Sequence, residues 1–138
     1  MRLWHKDLIP VLPRKQLLGQ WRECCAIAKN IAEKETPNHL LVNRIMDYPR
    51  DHFLHYCELV FKEMKRRGFK VSWEDKAAQY FPSIYLLVPY HEIFDKWHDD
   101  QYLLQCFYNL QEKFDCGGLT DEEYDEIHKL MLSKGFRV

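Results

Sequence analysis

Between Arg14 and Glu33, apolar residues recur at Leu17, Leu18, Trp21, Cys24, Cys25, Ala28, Ile31 and Ala32. Steps of three, four and seven put all eight on one stripe of a helix, which must bury that stripe against a partner. Pro13 stands where a missing N–H costs nothing, at the start of this helix, and Pro10 and Pro13 close an extended N-terminal segment. A turn at Thr36-Pro37-Asn38 leads to a short segment from His39 to Met46, and Pro49 opens a second long helix over about 50–67, stopped by Gly68. Ser72-Trp73-Glu74-Asp75 has the form of a cap for a short helix ending near Pro82, with Ser83 to Val88 irregular. Beyond Pro89 helical patterning runs to about Phe114, interrupted near His98-Asp99-Asp100, and Cys116-Gly117-Gly118 ends it. Thr120-Asp121-Glu122-Glu123 is a capping box for a last helix ending before Gly135. The pattern predicts an all-α fold: one compact domain of about five to six helices with the first helix central. A helical domain over 1–116 and a short C-terminal helical tail over 117–138 are expected.

Phe, Tyr and Trp make up 14% of the 138 residues, a content that excludes disorder because the apolar surface can offset ordering entropy. No apolar run approaches the roughly 20 residues of a membrane span, and no signal-peptide apolar region follows Met1. A soluble cytoplasmic protein without a membrane partner is expected. Cys24 and Cys25 are adjacent and the total of five cysteines is odd, so reduced thiols are expected, with this pair acting as small core residues. The net charge of −1 hides a split. Met1 to Lys70 holds 14 Lys and Arg against 8 Asp and Glu, and Val71 to Val138 holds 6 against 13. A cationic half of this kind either attracts polyanions or forms one end of a dipolar, solvated surface.

On the first helix Glu23 is placed almost opposite the apolar stripe, between Gly19 one turn before and Ala26 one turn after. A mid-helix glycine costs roughly 1 kcal/mol relative to alanine, so Gly19 points to something that comes close to this face. None of Gly19, Gln20, Ala26 and Ile27, the neighbours three and four residues away, is basic, and a helical salt bridge does not account for Glu23. The alternative is a solvated glutamate, the commonest fate on a polar face. His52, His55 and Cys57 lack a matched second pair of ligands, and no metal is expected. Tyr102, Phe107, Tyr108 and Phe114 follow helical spacing and are expected in the core.

The segment Gln16-Leu17-Leu18-Gly19-Gln20-Trp21-Arg22-Glu23, preceded by Met1-Arg2-Leu3-Trp4 and followed by Lys65-Arg66-Arg67-Gly68-Phe69, resembles the pyrimidine-dimer DNA glycosylase family of the phage endonuclease V type. Within it, the chain is most similar to a bacterial branch beginning Met-Arg-Leu-Trp. The shared features are an N-terminal arginine, an aromatic-Arg-Glu triplet on the first helix and a later helix ending in Arg-Gly-aromatic. They cover roughly the first half of the chain.

The resemblance implies a DNA repair glycosylase with a coupled AP lyase activity on double-stranded DNA carrying ultraviolet-induced pyrimidine dimers. It would act as a monomer, without cofactor or metal. By position, Met1 would supply the attacking α-amine and Glu23 the catalytic carboxylate, while Arg2 and Arg22 would hold phosphate or lesion. An α-amine, with a reference pKa of about 7.7–8.0, is a usable nucleophile at neutral pH. Two departures stand out. Met1 precedes the bulky Arg2 and is expected to be retained, which shifts the spacing to the glutamate by one residue. Ala26 replaces a family arginine, so phosphate grip is expected to move to Arg14, Lys15 or Lys29, and His39 and Arg44 are further candidate DNA contacts. A non-catalytic helical module that binds DNA or protein on the same scaffold is the alternative.

Overall fold

In the computed structural model, residues 1–37, 39–72, 79–80 and 87–138 are described. Among them every regular element is helical. The α-helices are α1 (Arg14–Lys34), α2 (Arg50–Arg66), α3 (Asp100–Asp115) and α4 (Asp121–Ser133), and 3-10 turns span Lys6–Val11, Asn43–Asp47 and Tyr90–Glu92. The cap at Ser72-Trp73-Glu74-Asp75, its short helix and the stretch after Ser83 fall largely on residues 73–78 and 81–86, outside the described residues.

Local chemistry sets the helix ends. Pro13 and Pro49 stand immediately before α1 and α2 in extended backbone. Glu35 ends α1 in the left-handed region, its N–H on the Ile31 carbonyl at 3.0 Å. Gly68 (φ 85°) closes α2 by donating to the Lys65 carbonyl while Phe69 donates to Met64, the paired bonds of a Schellman stop. The Asp99 carboxylate caps α3 at the Tyr102 N–H, and Thr120 and Glu123 form the anticipated capping box of α4. The N-terminal segment departs from expectation. Its extended backbone turns at Lys6 into the 3-10 helix that contains Pro10, because Leu8, Ile9 and Leu12 can all be buried only if the chain coils there.

Leu17, Trp21, Cys24 and Ala28 of α1 are buried in the same core as Phe53, Cys57, Val60 and Met64 of α2. α2 packs against α1 and against the 3-10 turns at Lys6–Val11 and Asn43–Asp47. Leu119, Ile127 and Met131 belong to this core too, since α4 packs on α3 and on Lys6–Val11. The Arg67 guanidinium donates to the carbonyls of Leu12, Ile9 and Pro10, so one member of the Lys65-Arg66-Arg67 run fastens α2 to the N-terminal segment.

Two histidines are buried where that segment meets residues 90–98. His5 stacks on His98 with centroids 5.0 Å apart. The His5 Nδ1 accepts the Asp7 N–H and its Nε2 faces the His98 carbonyl, while the His98 Nδ1 accepts the Lys6 N–H. Each ring therefore carries its proton on Nε2 and has no room for a second. Burial holds both pKa values below the ordinary histidine range, that of His98 well below. Because the folded values lie under the unfolded one, this contribution to stability is complete above pH ~6.5 and is lost as the pH falls beneath it. Each ring is expected to remove up to about 1.4 kcal/mol per pH unit below that point. Unfolding midpoints in urea, measured from pH 7.5 to 5, check this; a flat profile would mean that the rings titrate as in the unfolded chain.

Candidate active site

The buried residues of α1 are Leu17, Gln20, Trp21, Cys24, Ile27, Ala28 and Ile31, whereas Leu18 and Cys25 are half-buried and Ala32 is exposed. At about 100° per residue the buried face is rotated by roughly 50° from the expected stripe, toward Gln20 and Ile27. The consequence falls on Glu23. It is not opposite the core but at its margin, half-buried, one turn after Gln20 and one turn before Ile27.

The extended segment 1–5 runs along that margin. The Arg2 N–H donates to Glu23 Oε2 at 3.2 Å, and the Gln20 amide reaches the same oxygen at 3.4 Å. The α-nitrogen of Met1 is three bonds from the Arg2 nitrogen, which keeps it within about 7 Å of the carboxylate. Met1 itself is exposed. Among the described residues the second Glu23 oxygen, Oε1, makes no hydrogen bond. One oxygen thus anchors the N-terminal peptide.

Arg2 and Arg44 come together although 42 positions separate them in the sequence. With Leu40, Leu41, Trp97 and Tyr102 they line a cavity of about 360 Å³. The Arg44 guanidinium lies 5.5 Å from the Trp97 ring centroid and that of Arg2 5.5 Å from Trp4, distances at which the ring faces hold the cations in place. Arg22, next to Glu23 in the sequence, opens onto a cavity of about 800 Å³ whose lining among the described residues also includes Lys65 and Lys70. Lys70 was not anticipated. Its position beside α1 follows from the reversal at Gly68, which helix periodicity does not carry.

Lys15, Arg22 and Lys29 are exposed and, at steps of seven, share one stripe of α1. Arg14 does not join them. It is about 180° from Glu23 around the helix, with its guanidinium over the Phe69 ring at 4.4 Å and its N–H on Glu123. His39 braces its own turn, where Nδ1 accepts the Leu41 N–H and its backbone N–H donates to Asn43. His52 and His55 accept the N–H groups of Phe94 and Val88, a structural use of the pair considered as metal ligands. None of the five cysteines forms a disulfide; Cys24 is buried and Cys25 half-buried. Among the described residues no helix is long and apolar enough to cross a membrane.

The model of one family, pyrimidine dimer DNA glycosylase, matches residues 1–77. The chain belongs to that family. The matched span contains Met1, Arg2, Gln20, Arg22 and Glu23, whereas Trp97 and Tyr102 of the Arg2–Arg44 cavity lie beyond it. Membership in a DNA glycosylase family makes DNA the substrate. No curated protein and no solved structure matches the chain.

A Cβ at Gly19 would meet nothing within 4 Å, so packing of the protein does not require glycine there. Gly19→Ala is expected to stabilise the fold by up to about 1 kcal/mol. A fall in DNA affinity or cleavage in that more stable variant would show that DNA uses the space, and unchanged activity would show that it does not.

Proposed function

We propose that the protein is a DNA N-glycosylase with a coupled AP lyase activity on double-stranded DNA containing pyrimidine dimers. The unprotonated α-amine of Met1 attacks the anomeric carbon of the damaged nucleotide, the glycosidic bond breaks, and the base leaves with its bonding electrons. Loss of the amine proton and opening of the sugar ring produce a Schiff base between Met1 and the sugar. Glu23, through its free oxygen, takes the proton from the neighbouring sugar carbon, and the 3′ phosphate departs by β-elimination. Its negative charge also stabilises the cationic iminium. The observation that carries this reading is the 3.2 Å bond from the Arg2 N–H to Glu23, which brings the first peptide of the chain to a carboxylate at the edge of a cationic surface.

Arg2 and Arg44, together with Arg22, Lys65 and Lys70, would hold the phosphates of the bound duplex, with Lys15 and Lys29 extending the path along α1. Lys65 and Lys70 take over the grip that Ala26 cannot provide. The protein would act as a monomer, with neither metal nor cofactor. Borohydride added during incubation with ultraviolet-irradiated duplex is expected to reduce the Schiff base to a stable amine and trap a covalent protein–DNA adduct. If no damaged duplex yields an adduct while DNA binding remains salt-dependent, the non-catalytic DNA-binding module replaces the enzyme.

A further inference from the structure

Gln20 is 1% exposed on the buried face of α1, at a position where leucine or methionine would serve the core. A buried amide is costly unless its hydrogen bonds are made. Gln20 meets four polar partners, one of them through a shared proton. Its Oε1 accepts the Trp4 N–H at 2.8 Å and the Tyr56 hydroxyl at 3.0 Å, and its Nε2 donates to the Arg2 carbonyl at 3.0 Å and to Glu23 Oε2 at 3.4 Å. Tyr56, fully buried on α2, has a single hydroxyl proton, which the Trp4 carbonyl at 2.5 Å shares with Gln20 Oε1. Residue 2 is therefore held at both ends, by Glu23 at its N–H and by Gln20 at its carbonyl. Both backbone polar groups of Trp4 are satisfied by the same pair of side chains.

We infer that Gln20 and Tyr56 are positioning residues that set the Met1 amine against Glu23. The inference rests on the proposed use of that amine as the nucleophile. Neither residue needs to touch DNA. Together they prevent the first residues from fraying, which an exposed chain start otherwise does, and they keep the amine and the proton acceptor in one arrangement before substrate arrives. The helix side chain that orients Glu23 is also the one that grips the peptide next to the nucleophile, so a single displacement disturbs both groups.

The test is single-turnover borohydride trapping on saturating ultraviolet-irradiated duplex, compared with the Kd for the same duplex. Gln20→Met keeps the volume and apolar packing but leaves the Arg2 carbonyl and the Trp4 N–H without their partner. It is expected to slow trapping about 10²-fold, the cost of roughly 1 Å of misplacement, with a far smaller change in the Kd. Tyr56→Phe removes only the hydroxyl and is expected to slow trapping in the same direction, again with a far smaller change in the Kd; it serves as the test if Gln20→Met does not fold. A folded variant that traps at the wild-type rate overturns the positioning role, as does a loss of trapping fully explained by a weaker Kd. Absence of an adduct with the wild-type protein itself overturns the nucleophile assignment and the positioning role with it.

Discussion

Acetylation of the Met1 α-amine is expected to abolish borohydride trapping and strand cleavage while leaving DNA binding in place. An amide nitrogen has no lone pair to give, so the carbon–nitrogen bond cannot form and the Schiff base is lost at its first step. Every lysine survives this modification, and the experiment therefore separates the α-amine from all side-chain amines. Lys6 is the competitor to consider. Burial lowers its pKa, which by itself favours a nucleophile. Its amine, however, donates to the carbonyls of Tyr90 at 2.9 Å and Ile93 at 2.6 Å, inside the junction that also holds His5 and His98. Trapping that persists at the wild-type rate after acetylation would transfer the chemistry to a lysine.

Glu23→Gln is expected to lower strand cleavage by about 10²-fold or more, the usual cost of losing a general base, with DNA affinity retained. The substitution keeps the size of the side chain and an oxygen to accept the Arg2 N–H, so the N-terminal segment stays anchored. What it removes is the proton acceptor at the free oxygen and the negative charge facing the iminium. Cleavage and affinity must be measured separately, because loss of a carboxylate from a cationic surface can raise affinity for a polyanion and conceal a slower chemical step. Cleavage by the variant at the wild-type rate would refute the role of Glu23.

Much of this molecule was legible from residues alone because its signals are short-range. Proline before Arg14 and Arg50, glycine at 68 and the Thr120–Glu123 box each act within one turn, and the helices begin and end where these residues say. The clustering of Arg2 with the Trp21-Arg22-Glu23 triplet pointed to the family, and the family model covers them. Tertiary structure decided the rest. Periodicity defines a stripe on α1 but not its edges, since the partner determines which flanking residues are covered. Packing against α2 and segment 1–5 buried Gln20 and Ile27, exposed Ala32 and brought Glu23 from the far face to the margin of the core. Gln20 was nonetheless a usable clue, being polar at a position three residues from Leu17 and four from Cys24. Helix geometry already sets Arg14 apart from the stripe of Lys15, Arg22 and Lys29, and the fold gives its guanidinium the Phe69 ring as a neighbour. Contacts such as Arg2 with Glu23, Gln20 with Tyr56, and Arg44 with Trp97 join residues 21 to 53 positions apart. Such pairs have no local energy to reveal them; they form only when burial of the whole core has already brought their backbones together.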